Sequence, residues 1–202
     1  MGDQLYNNIP IGFCFDPTDE ELITGILFQK VMGFPLPWNG IAEKELYGDN
    51  AAPWDVFSDI DDGENCSLYC NTKKEGDTTK KSVYVLTKVP NSKKRNSRTS
   101  GCGRWSSHTG PKTIMHSTTG DIIGLMRMLS FKSLKKTTEA VNGDDDLGHW
   151  IMHEYSLSGS ALMEIGERNN NDLVLCKITK CTKEKVVAVG NNGGCGDEIR
   201  VS

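Results

Sequence analysis

No stretch of this 202-residue chain approaches the ~20 consecutive apolar residues of a membrane-spanning helix. Its opening, Met-Gly-Asp-Gln-Leu-Tyr-Asn-Asn, has neither the basic start nor the apolar core of a secretory signal. Tyr6 stands where an acylation signal beginning at Gly2 needs Ser or Thr, which argues against lipid attachment. The seven cysteines include no Cys-x2-Cys pair. Without an export signal they read as reduced thiols, and the odd number leaves one unpaired in any intramolecular scheme. Nor is the chain basic overall: its net charge is −4, which excludes a uniformly positive nucleic-acid coat. With 37% hydrophobic and 25% charged residues, it has the material for one good-sized core and a short tail.

The charge is unevenly distributed. Between Lys73 and Lys112 there are 11 basic residues against Glu75 and Asp77, a local +9 that leaves −13 for the rest. Lys93, Lys94, Arg95 and Arg98 form its densest part. Such an asymmetry marks either a solvated loop or an anion-binding face. Cations spaced along a surface are what phosphate contacts require, which makes nucleic acid the ligand to test. Gly101 and Gly103 let backbone approach another surface closely, and Trp105 reads as a packed anchor.

A helix start is written at Pro17-Thr-Asp-Glu-Glu21. Proline is tolerated only at a helix entrance, Thr18 is a capping residue, and Glu21 closes a capping box three positions later. Leu22, Ile23, Ile26 and Leu27 then recur at helical spacing, predicting a helix to about Met32. The apolar arm before it, Ile9 to Phe15, is too irregular to be helical. A turn-rich connector follows at 33–40, and residues 41–47 (Ile-Ala-Glu-Lys-Glu-Leu-Tyr) are expected to form two helical turns. From Ser67 the period shifts toward two. Strands are predicted at 67–71, 82–87, 104–107, 112–116, 122–131, 150–157 and 173–178. Short turns and no intervening helices favour an antiparallel arrangement. The polar spans 135–148 and 168–172 are expected as loops. The expected class is α+β, mainly β: a twisted antiparallel β-sheet flanked by a few helices.

Two metal readings compete with the anion-binding one. His149, His153 and Glu154 have zinc-hydrolase residue types, but their segment alternates like a strand, where residues four apart are about 13 Å apart. It also departs from the order of known zinc-protease motifs, so His153 and Glu154 read better as structural polar residues. Cys66 with Cys70, completed by Cys176 and Cys181 or by His108 and His116, is a candidate structural zinc site without the usual paired knuckles. Asp144 to Asp146, bounded by Gly143 and Gly148, reads as a solvated loop tip. No cofactor, metal or catalytic residue is predicted.

Five ordered blocks resemble the plant NAC transcription-factor domain. They are Ile9-Pro-Ile-Gly-Phe-Cys-Phe-Asp-Pro-Thr-Asp-Glu-Glu-Leu22, residues 41–47 with Pro53-Trp-Asp55, Arg95 to Lys112, Trp150-Ile-Met-His-Glu-Tyr-Ser-Leu157, and Leu173-Val-Leu-Cys-Lys-Ile178. The resemblance implies the NAC-domain fold over 9–180, an extension at 1–8 and a flexible tail at 181–202. It implies a nuclear, non-enzymatic regulator that binds double-stranded DNA at CACG-type sites through a basic edge strand. DNA contacts would come from Lys93, Lys94, Arg95, Arg98, Arg104 and Lys112 at phosphates and from Ser106, Ser107, His108 and Thr109 nearest the bases. A homodimer or heterodimer with other NAC proteins would form through Ile9, Pro10, Gly12, Phe13, Cys14 and Glu21. Three positions depart from the pattern: Cys14 replaces an Arg that pairs with the partner's glutamate, Ser106 replaces a Lys, and Arg104 stands where the family has Tyr and supplies a compensating cation. These departures, and a tail of about 22 residues, suit a heterodimerising, repressor-like regulator as the alternative.

Overall fold

The computed structural model describes residues 15–36, 41–49, 51–57, 70–90, 98–133, 149–166 and 172–183. The capping box forms as the sequence predicts. Thr18 Oγ accepts from Glu21 N at 3.2 Å, and Glu21 Oε2 accepts from Thr18 N at 2.8 Å. The helix that follows, α1, has three contiguous parts: an α turn at Asp19–Glu21, a π segment at Leu22–Leu27 and an α turn at Phe28–Val31. In the wider π turn, residues four and five apart share a face. Leu22, Ile23, Ile26 and Leu27 are thereby all buried against the sheet.

Among the described residues nine strands build that sheet: β1 Ala42–Glu43, β2 Cys70–Glu75, β3 Thr78–Lys88, β4 Thr99–Ser100, β5 Gly103–Ser107, β6 Lys112–Met115, β7 Ile122–Ser133, β8 His149–Leu157 and β9 Leu173–Lys183. The order is β1-β3-β9-β8-β7-β5-β4, with β2 also on β3 and β6 also on β7. The expected antiparallel sheet is therefore present with one exception, since β1 runs parallel to β3. β9, last in sequence, lies between β3 and β8 and pairs with both along most of its length.

Alternation along the central strands divides the apolar residues between two faces. Tyr84, Leu86, Tyr155, Leu173 and Leu175 join α1 in one core. Val83, Val85, Trp150, Met152, Val174, Cys176 and Ile178 point the other way, into a second core closed by Leu46, Tyr47, Val56 and Phe57. A sheet covered on both sides needs apolar residues at successive positions, and β3 and β9 supply them in Val83-Tyr-Val-Leu86 and Leu173-Val-Leu-Cys176.

Two features differ from the prediction. Residues 41–47 are not helical: Ile41, Leu46 and Tyr47 are buried, and Lys44 N donates to Leu86 O on β3. Two isolated helical turns are too short to sustain themselves, whereas the open edge of β3 offers the same backbone groups partners. The second is an additional helix, α2, at Gly159–Ile165, which packs Ala161 and Ile165 into the first core. It starts at a glycine with φ +57°, where an added Cβ would lie 2.0 Å from Ile122 O. Gly159→Ala is accordingly expected to lower stability by at least ~1–2 kcal/mol, the cost of a left-handed backbone alone, measured by urea unfolding.

Candidate nucleic-acid interface

β5 and β6 follow one another along one edge of β7, both antiparallel to it, and the outer strand of the hairpin they form with β7 carries most of the described candidate contacts. β4 covers β5 at Gly103 and Arg104 and Arg98 O takes the N–H of Trp105, so the outer edge at Ser106 and Ser107 has no further strand among the described residues. Arg104, Ser107, His108, Thr109 and Lys112 are exposed and Ser106 is half-buried. The loop between β5 and β6 is ordered by Ser107 Oγ donating to Thr109 O at 2.7 Å and by a 3.1 Å contact between His108 Nε2 and Ser130 Oγ.

What lies behind this edge is tightly fitted. Trp105 is buried with its ring edge-on to Phe131 at 5.1 Å. The close approach expected of Gly101 and Gly103 is made to the protein's own backbone. A Cβ on Gly101 would lie 1.7 Å from Asp49 O, and one on Gly103 would lie 2.4 Å from Lys132 O.

Arg98 is turned inward. Its Nη2 lies 2.6 Å from Glu154 Oε1 and its Nε 2.7 Å from Glu154 Oε2, a bidentate pair. Glu154 is 1% exposed in the middle of the sheet, and Tyr47 Oη donates to its Oε2 at 2.7 Å. Arg127 Nη1 stands 3.7 Å from Oε1. The hydrogen bond to Glu154 holds the Arg98 guanidinium above its already high range. Burial, then the neighbouring Cys176 and Glu154, pushes the Tyr47 hydroxyl far above the phenol range, so it remains a donor. The backbone of Arg98 also accepts from Trp105 N at 2.9 Å, tying the ion pair to β5. The phosphate role expected for Arg98 does not match this placement, because the Nε–Nη2 edge of its guanidinium is held by a buried carboxylate and its side chain is only 14% exposed.

The first turn of α1 reaches the same hairpin. Asp19 Oδ2 accepts from Lys112 Nζ at 3.0 Å, and Oδ1 accepts from the hydroxyl of buried Tyr155 at 2.9 Å. Burial draws the Asp19 carboxyl upward, but the hydrogen bonds from Lys112 and Tyr155 outweigh it and hold the group below the usual range. Glu20 Oε1 accepts from Ser117 N at 3.0 Å and Ser117 Oγ at 3.1 Å, with His116 Nε2 at 3.8 Å.

Lys93, Lys94 and Arg95 lie outside the described residues, as do Ile9, Pro10, Gly12, Phe13 and Cys14. Glu21 is described and serves the capping box. The hydrolase triad is split: β8 alternation sends His149 and His153 to one face and Glu154 to the other, where Arg98 holds it. Cys176 faces the second core, whereas Cys181 stands five residues along the same strand and so on the opposite face. They cannot complete one zinc site. Among the described residues no three His, Cys, Asp or Glu side chains are grouped to hold a metal.

Tyr47, Arg127, Asp19 and Glu20 escaped the sequence reading. One signal was available. Glu154 shares strand parity with Trp150 and Met152, and a carboxylate on an apolar face implies a buried cation.

These parts make a two-core sheet domain whose polar edge hairpin is braced from inside. A family model described as No apical meristem (NAM) protein matches residues 10–157, and the chain belongs to that family, the NAC-domain proteins. NAC domain-containing protein 83 of Arabidopsis thaliana is 33% identical over 170 residues, covering 84% of this chain and 57% of the relative. NAC domain-containing protein 68 of Oryza sativa subsp. japonica is 32% identical over 174 residues, covering 85% and 48%. NAC transcription factor 56 of Arabidopsis thaliana is 31% identical over 183 residues, covering 86% and 44%. The chain thus spans about half the length of the curated relatives it matches.

Arg98→Ala leaves the Glu154 carboxylate buried without its cation. It is expected to cost ~3–5 kcal/mol in urea unfolding, with Arg98→Met/Glu154→Leu recovering most of the loss.

Proposed function

We propose that this protein is a nuclear transcription regulator that binds duplex DNA sequence-specifically, as a dimer, through the β5–β6 edge, the outer strand of the hairpin with β7. The observation that carries this reading is the hairpin itself. It is a sheet edge uncovered beyond β4 that exposes Ser107, His108 and Thr109 between Arg104 and Lys112, on a base fixed by Trp105 and two close-packed glycines. The major groove, ≈12 Å wide, admits a β-ribbon, and hydroxyl and imidazole groups match the donors and acceptors on base edges. Lys93, Lys94, Arg95, Arg104 and Lys112 supply the phosphate contacts, and Ser106 to Thr109 lie nearest the bases. Arg98 acts indirectly, by anchoring the chain that leaves the 93–95 cluster and enters β5. Membership of the NAM family supports the same reading, since the relatives' names include NAC transcription factors.

Fluorescence anisotropy with a CACG-containing duplex and a scrambled one tests this. Preference for the CACG duplex is expected. Replacing Lys93, Lys94 and Arg95 together by alanine should flatten the log K against log salt slope by up to ~2.7, at ~0.9 per phosphate contact. Equal, salt-independent binding to both duplexes, or none at low salt, would overturn the reading.

A second reading is favoured by Cys14 and Ser106, where the family's cationic residues are absent. The family's arginine–glutamate bridge would be lost twice in a self-pair and only once in a mixed pair, so heterodimers should outlast homodimers. Cys14→Arg is expected to tighten the homodimer in sedimentation equilibrium. Unchanged self-association in that variant would remove this reading.

A further inference from the structure

The hairpin that presents the DNA contacts is tethered to α1 at both ends of β6. At its start, Lys112 is held by Asp19, whose other oxygen is anchored by buried Tyr155. Just past its end, the backbone and hydroxyl of Ser117 both donate to Glu20. The side chain of Glu20 is held as firmly as that of Asp19 in number of hydrogen bonds. It collects two hydrogen bonds and lies beside His116, while its own carbonyl accepts from Thr24 Oγ at 2.9 Å. Among the described residues the β6 backbone pairs only with β7, and the register slips between Ile114 and Met115. A short strand with a slipped register on a single neighbour is a weak guide to orientation. Two rigid carboxylates on the first turn of α1 supply the constraint the ladder does not.

We infer that Asp19 and Glu20 are positioning residues for DNA reading: they fix the β5–β6 edge relative to α1, so that the loop at 107–111 meets the base edges in one orientation. The inference rests on the reading of this hairpin as the DNA-contacting edge. Base readout depends on hydrogen-bond geometry, whereas phosphate attraction is tolerant of small displacements. Loosening the tether therefore erodes discrimination before it erodes non-specific binding. The same turn carries Glu21, two residues from Asp19, in the segment proposed for dimerisation. Pairing of two chains at this turn would reach the hairpin through its immediate neighbours.

The test is anisotropy with the CACG and scrambled duplexes on Glu20→Ala and Asp19→Ala, at a temperature where circular dichroism shows each variant folded. Each is expected to reduce the ratio of the two affinities roughly tenfold, with affinity for the scrambled duplex changed less than about threefold. Glu20→Gln and Asp19→Asn keep an acceptor oxygen in place and should restore most of the ratio. That rescue would not be seen if the charges alone mattered. Should an alanine variant unfold, Ser117→Ala removes one of the two Glu20 hydrogen bonds from the hairpin side and should give a smaller loss of the same kind. Wild-type preference retained in the folded alanine or Ser117→Ala variants, or no rescue by the amides, overturns the inference alone. Absence of any duplex preference in the wild-type protein overturns the DNA reading and this inference together.

Discussion

The carboxylate of Glu154 is the constraint on which the rest of the structure depends. It sits in the central strand β8 on the side of the second core, where an unpaired charge would be intolerable. Three segments far apart in the chain converge to satisfy it: Tyr47 just after β1, Arg98 leading into β4 and β5, and Arg127 on β7. Each partner fixes its own element. Tyr47 closes the second core over β3 and β9, and Arg98 sets where the edge strand starts. A buried ion pair is weak evidence of net stability, because desolvation consumes much of the Coulomb gain. Its value here is geometric, since a bidentate fork accepts one orientation and so specifies one path for the chain.

The two faces of the sheet divide the work. One is packed by α1, and the other is closed by the segment around Tyr47, Val56 and Phe57. β9 makes this possible, because it lies between β3 and β8 and pairs with both. The sheet is thus completed by its last strand, and β9 begins 16 residues after the family match ends at 157. The first turn of α1 then links the helix face to the edge hairpin through Asp19 and Glu20. The candidate interface is consequently braced from both sides of the sheet: from the second core by Arg98 and from α1 by the two carboxylates.

Much of the fold was legible in residue order. Thr18 and Glu21 announced the helix start, and Leu22, Ile23, Ile26 and Leu27 its buried face. Strand periodicity located β3, β5, β6, β7, β8 and β9 within a few residues. What escaped did so for identifiable reasons. Residues 41–47 carry helix-forming side chains but lie beside an open strand edge, and tertiary pairing overrode local propensity. α2 is only seven residues long and begins at glycine, so it has too little periodicity to register.

The candidate site was legible as a set of residue types and not as an arrangement. Composition and order alone determined that cations cluster between Lys73 and Lys112, that strands dominate, and that five blocks resemble NAC proteins. Those properties depend on side-chain chemistry and spacing along the chain. Only tertiary structure decided that Arg98 faces inward while Arg104 faces out, or that Lys112 is held by Asp19, 93 residues earlier. The physical reason is that the sequence carries the charge of each group and the fold sets its solvation. A guanidinium becomes structural when a buried carboxylate 56 residues away requires it.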